Sequence, residues 1–216
     1  MTRPRSEGGP PTTAVVVGSG PNGLAAALVL AEAGVAVRVI EAADTVGGGT
    51  RSAELTLPGL VHDVCAAIHP LAVATRFSKA FDLSAHGLTW AEPEVQYSHP
   101  LDGGRGAAAH RSVERTARDL GGRDGRTWER VFGALTERFD TIADEFLQPV
   151  VHVPHHPVHL GRFGLYAGQP ASLLARRWHG QGGRALLAGL AAHAFRPLGS
   201  LASSAIGVAL GTAAHR

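Results

Sequence analysis

An α/β fold that begins with a βαβ unit is predicted by three features of residues 14–41. The run Ala14-Val15-Val16-Val17 is small, β-branched and apolar, as a short buried strand requires. It breaks at Gly18-Ser19-Gly20-Pro21-Asn22-Gly23, and Leu24–Ala33 then reads as an Ala- and Leu-rich helix ended by Gly34. Val35–Ile40 is a second buried strand, with the acid Glu41 at its end.

Each position in this stretch has a physical task. The spacing Gly18-x-Gly20-x-x-Gly23 is the dinucleotide fingerprint in its proper strand–turn–helix context. Gly18 permits the tight turn, Gly20 lets the backbone approach a pyrophosphate, and Gly23 lets the helix pack closely on the strand. Ser19, Pro21 and Asn22 complete a loop that brings the helix N-terminus, with its unpaired N–H groups, to the phosphates. Glu41 stands where an acid accepts hydrogen bonds from ribose hydroxyls, and its charge would repel a 2′-phosphate, which argues against NADP. Beyond it, Gly47, Gly48 and Gly49 offer backbone N–H groups as a second anion nest or, alternatively, form a flexible loop.

Composition narrows the classes further. The 216 residues are 44% hydrophobic and 18% charged with a net charge of +2, ordinary values for a globular protein able to bury a core. All but one of the 20 basic residues are Arg, yet no basic run or aromatic-interleaved patch points to nucleic acid. The single cysteine, Cys65, excludes an internal disulfide and fits a reducing, cytoplasmic setting. Residues 1–13 carry Arg3, Arg5 and several Pro and Gly without an apolar centre, and read as a flexible tail rather than a secretory signal.

Past Glu41 the residues resemble a known family, the FAD-dependent oxidoreductases like phytoene desaturase, within the wider amine-oxidase-like flavoprotein group. The resemblance is carried by Val17–Leu24, Glu41 and Val46-Gly47-Gly48. It continues through Leu57-Pro58-Gly59, Val61–Cys65 and Ile68-His69-Pro70, and extends to His99–Gly104. It implies FAD as cofactor, with Gly47 and Gly48 touching its pyrophosphate and Gly49 beside them. It implies hydride transfer from a C–H bond of an apolar small-molecule substrate to the flavin. Many relatives have Arg directly after the glycine pair, where this chain has Gly49, with Arg51 two positions later. The non-family alternatives are an NAD-dependent dehydrogenase using the same fingerprint, and a nucleotide-binding remnant without turnover.

The remaining sequence predicts a mostly helical α+β segment. Residues 53–70 read as a strand, a Pro58-Gly59 turn and a second strand, and residues 14–70 are expected to form the N-terminal part of the cofactor domain. His62, Asp63, Cys65 and His69 follow no standard metal-ligand spacing, and no metal site is expected. A substrate-domain segment should run over 71–197, starting with a helix over Leu71–Leu83. Val95–Leu101 and Arg105–His110 flank Asp102-Gly103, a type I′ hairpin signal, and Ser112 can cap the next helix. A long amphipathic helix with Trp128, Val131, Phe132, Leu135, Phe139, Ile142 and Phe146 on one stripe should end at Pro149. That stripe reads as core, or as the wall of an apolar channel if the resemblance holds.

His152, His155, His156 and His159 would share a helical face, but Pro154 and Pro157 interrupt it and a solvated loop is expected. Helical stretches around Ser172–His179 and Arg184–Phe195 lead to Leu198–Ala214, which is uncharged and reads as a buried helix rather than a transmembrane one. Peripheral membrane contact is compatible with this pattern. No Ser-His-Asp or Cys-His arrangement is legible, as suits a protein whose cofactor carries the redox chemistry. Only two parallel strands are legible. The chain is therefore expected to be the N-terminal part of the enzyme, inactive alone, with residues 198–216 leading towards a missing or separate C-terminal half.

Overall fold

The computed structural model describes residues 13–149 and 151–216; residues 1–12 of the tail expected over 1–13 lie outside the described residues, and Thr13 belongs to the first strand instead. The chain divides into two compact units, the first ending at His69 and the second running over Pro70–Arg216.

In the first unit, strand β1 (Thr13–Val17) and strand β2 (Ala36–Ile40) pair in parallel from Thr13↔Ala36 to Val17↔Ile40. Helix α1 (Pro21–Glu32) crosses between them. It starts three residues before the predicted Leu24, because Pro21 at its first position has its φ already set for a helix. At its far end Gly34 takes φ +84° while Gly34 N donates to Ala31 O and Val35 N to Leu30 O. This pair of bonds is the Schellman stop that a glycine at this position permits.

The other face of this sheet is bare. Val15 is 60% and Val17 82% exposed, and Ile40, opposite Val17 in the register, is exposed beside them. A two-stranded parallel sheet with one open apolar face departs from the rule that parallel strands are covered on both sides. After β2, a 3₁₀ turn (Gly48–Thr50) precedes the antiparallel pair β3 (Ser52–Glu54) and β4 (Val61–Asp63). Their connection turns at Pro58-Gly59, with Gly59 at φ +80° and Leu60 N donating to Leu57 O.

In the second unit the predicted helix over Leu71–Leu83 is broken. Thr75 takes an extended conformation and its hydroxyl accepts from Ser78 N, ending a 3₁₀ turn (Ala72–Ala74) and starting the short helix α2 (Arg76–Ala80). Strands β5 (Val95–Leu101) and β6 (Arg105–His110) form the predicted hairpin, with a bulge between Val95 and Tyr97. Its turn has positive φ at Gly103 and Gly104, one residue later than the Asp102-Gly103 pair expected from sequence. Two adjacent glycines take the left-handed positions at no steric cost, leaving Asp102 outside them.

Ser112 caps α3 (Val113–Leu120) by accepting from Arg115 N at 3.1 Å. Helix α4 (Gly122–Trp128) packs so tightly on α3 that a Cβ on Gly125 would lie 2.1 Å from Ala117 O. A π-helical stretch (Glu129–Gly133) and a last turn α5 (Ala134–Thr136) continue from α4. The expected continuous helix to Pro149 is interrupted there. Arg138 leaves helical geometry, with φ −118° and ψ 20°, and α6 (Phe139–Phe146) starts after it. The stripe itself is core: Trp128, Val131, Phe132, Leu135, Phe139 and Ile142 are buried and Phe146 half-buried.

Helices α7 (Pro157–Ala167), α8 (Ala171–Ala175), α9 (Gln181–Ala191) and α10 (Ala205–Ala213) complete the unit. The last is shorter than the predicted Leu198–Ala214, and it is well packed. Val208 is fully buried, a Cβ on Gly207 would meet Ala191 at 3.0 Å, and one on Gly211 would meet the Phe132 ring at 2.6 Å. Small residues let α10 approach α9 and the aromatic stripe closely, so its apolar surface is spent inside the second unit.

Candidate functional site: the glycine loop and its acid

The site lies in the first unit, where the β1–α1 turn meets the end of β2 and the loop that follows. Gly18 sits at φ +94°, and its N–H donates to Ile40 O at 2.7 Å, which ties the turn to the end of β2. A Cβ on Gly23 would lie 2.1 Å from Gly18 O and 3.6 Å from Val16 Cγ1, so glycine is required there for helix and strand to close. Gly20 differs. A Cβ added to it would meet nothing nearer than Gly48 Cα at 3.8 Å. Protein packing does not demand a glycine at 20, whereas the close approach of a ligand would.

Gly20 is the N-cap of α1, and no side chain caps the helix. Pro21 has no N–H, and the first intrahelical bond is Leu24 N to Gly20 O at 3.0 Å. The N–H groups of Asn22 and Gly23 therefore have no partner within their own helix and stand at its positive end.

The second glycine loop is folded against the first. Gly47 N donates to Ser19 O at 3.0 Å. Gly47 and Gly48 take φ +114° and +54°, and a Cβ on Gly48 would lie 2.8 Å from Gly20 Cα. This loop is ordered by hydrogen bonds: Thr50 Oγ1 donates to Gly47 O at 2.7 Å and Arg51 Nε to Gly48 O at 2.9 Å. Gly49 accepts from Ala66 N at 2.8 Å, and Cys65 lies beside it with its thiol exposed. Arg51 thus acts on the loop from behind, by holding a carbonyl.

Glu41 is the hub. Its Oε2 accepts from Ser19 N at 2.8 Å and from Ser19 Oγ at 2.6 Å, while Oε1 accepts from Ala43 N at 2.9 Å. The Ser19 hydroxyl, followed by these backbone donors, holds the carboxyl down to about 2, so it is ionised at any physiological pH. A carboxylate has about four acceptor directions, and three are taken here, so capacity remains for a further donor. The Ser19–Glu41 tie is not legible in the sequence. A serine inside a glycine turn and an acid 22 residues later are the only trace of it.

The comparisons with known proteins agree on this architecture. The family described as NAD(P)-binding Rossmann-like domain matches residues 16–94. The fold is Rossmann-like. Solved structures of putrescine oxidase are similar across nearly the whole chain. The wild type bound to putrescine is 22% identical, with a TM-score of 0.52 over 91% of this chain. A single-substitution variant of that enzyme is 24% identical, with a TM-score of 0.51 over 90% of this chain. The chain spans 40% of the length of both structures. No curated protein sequence matches it. The first unit contains every residue expected from sequence to hold the cofactor: Gly18 to Gly23, Glu41, and Gly47 to Gly49.

The second unit holds His152, His155, His156 and His159. Buried Glu145 accepts from His152 Nε2 at 2.8 Å and from His156 N at 2.7 Å, which anchors the loop between α6 and α7. The hydrogen bond to Glu145 raises the pKa of His152, and the same bond lowers that of Glu145. Among the described residues no three His, Cys, Asp or Glu side chains converge as a metal site. No helix among them is long and apolar enough to cross a membrane.

Proposed function

We propose that the Rossmann-like unit binds the ADP half of FAD and that the protein is a portion of a flavin-dependent oxidoreductase. The observation that supports this most is the space at Gly20. A Cβ on Gly20 would meet only Gly48 Cα, at 3.8 Å, and the start of α1 has no side-chain cap, so the N–H groups of Asn22 and Gly23 stand beside a position that protein packing leaves open. In this reading Gly18 to Gly23 cradle the pyrophosphate, Gly48 holds the second loop against the first, and Glu41 accepts from the ribose with its remaining lone pair. Ser19 positions that carboxylate and keeps it ionised. The bound flavin would supply the oxidising power, accepting a hydride from a substrate C–H bond.

The resemblance to phytoene desaturase-like enzymes supports an apolar substrate and a dehydrogenase or desaturase reaction. The likeness to putrescine oxidase supports the same flavoprotein architecture through fold. The NAD-dependent reading uses the same cradle, and Glu41 is compatible with it. Titration of the purified protein with FAD, NAD and NADP decides between them. Preferential binding of FAD, with a yellow protein absorbing in the flavin bands, is expected. Preferential binding of NAD by a colourless protein would overturn the proposal.

A further inference from the structure

We infer that the corner formed by α7, α8 and the loop over 195–204 is a docking surface for an anionic lipid membrane. Residues 146–216 contain six arginines and no Asp or Glu. A charge imbalance between parts of a chain points to an anionic partner. Ser172 N donates to Leu198 O at 3.0 Å and Ala202 N to Gly168 O at 3.1 Å, so the loop is bound along the α7–α8 junction. Ser204 Oγ fixes it further by donating to Tyr166 O at 2.6 Å.

This corner shows solvent four large apolar side chains: Leu165 at 70%, Leu173 at 48%, Phe195 at 96% and Leu201 at 74% exposure. Phe195 is held outward at φ +50°, a left-handed conformation unusual for a bulky residue. Arg162, Arg176 and Arg196, each within three residues of Leu165, Leu173 or Phe195 in sequence, are exposed, and among the described residues none of the three forms an ion pair. Arg177 lies over the Tyr166 ring at 5.7 Å.

Aliphatic and aromatic side chains interspersed with unpaired arginines match an interface of acyl chains under anionic headgroups. Three of the four apolar groups are leucines, which offer no stacking face to a nucleic acid. A second copy presenting the same corner would bring arginine to arginine.

The test uses the whole 216-residue chain and flotation with vesicles of phosphatidylcholine alone or with phosphatidylglycerol added. Flotation with the anionic vesicles, weakening as salt is raised and absent with phosphatidylcholine alone, is expected. Each arginine near such a surface is worth roughly fivefold in partitioning, so the triple variant Arg162→Gln, Arg176→Gln, Arg196→Gln should lose roughly a hundredfold. A Phe195→Trp variant should gain fluorescence quenched by brominated lipid, over the parent. That readout holds even where the triple variant fails to fold. No flotation, equal flotation on neutral vesicles, no added quenching, or single-stranded RNA binding that displaces the vesicles would each overturn the inference. None of these readouts involves the dinucleotide.

Discussion

At residue scale, Gly20 and Gly23 are the same amino acid for different reasons, and substitution separates them. Gly23→Ala places a Cβ 2.1 Å from Gly18 O and should destabilise the first unit by ~1–3 kcal/mol through overpacking. Gly20→Ala meets only Gly48 Cα at 3.8 Å, so thermal stability should be unchanged while FAD affinity falls. A thermal melt and an FAD titration on both variants check this; a loss of stability in Gly20→Ala equal to that in Gly23→Ala would contradict the assignment. Glu41→Gln should weaken FAD binding while Ser19 keeps an oxygen to donate to. Because the folded carboxyl lies at about 2, below its ordinary value, the stabilising tie is fully present above pH 4.5 and is lost only as pH falls towards 2. Binding carried by Glu41 should therefore be flat from pH 5 to 8. A decline across that range, absent in Glu41→Gln, would show that the carboxyl titrates higher.

At the scale of elements, the βαβ unit and the hairpin were legible because their signals are local. Alternating side chains around adjacent glycines define the hairpin, and Gly34 defines the end of α1. The breaks at Thr75 and Arg138 were not legible, since the apolar period continues straight through them and tertiary packing decides where a helix yields. The partners of helix α10 were not legible, because its contacts at Ala191 and Phe132 are set by tertiary packing rather than by its own sequence. The same contacts predict that Gly211→Val, driving a side chain into the Phe132 ring, destabilises the second unit by ~1–3 kcal/mol in urea unfolding; an unchanged midpoint would contradict this packing.

Directly after α10, His215 Nε2 accepts from Trp128 Nε1 at 2.9 Å, so that nitrogen carries no proton and His215 is neutral in the core. Burial lowers its pKa. The unfolded chain therefore binds a proton near pH 6.5 that the folded chain refuses until lower pH. Stability is full above 6.5 and falls below it, with a limiting slope of about 1.4 kcal/mol per pH unit. His215→Gln keeps an acceptor for Trp128 and should flatten the urea midpoint between pH 5 and 7; an unchanged slope would place the titration elsewhere.

For the whole molecule, the two units are unequal in completeness. The second has a continuous core from Trp128 to Val208, with Trp128 and Trp178 rings 5.7 Å apart. The first leaves Val15 and Val17 open on a two-stranded parallel sheet. Further strands and a covering layer, from this protein's remainder or a separate chain, would complete that sheet; the chain's 40% span of its structural neighbours agrees with this proposal. Without them FAD binding should be weak and turnover absent. Backbone amide chemical shifts on titrating the isotopically labelled 216-residue chain with FAD read the site directly, even at weak affinity. The account predicts saturable shifts at Gly18, Ser19, Gly20, Asn22, Gly23, Gly47 and Gly48, reduced in Glu41→Gln. Shifts confined to the second unit, or none at saturating FAD, would contradict it.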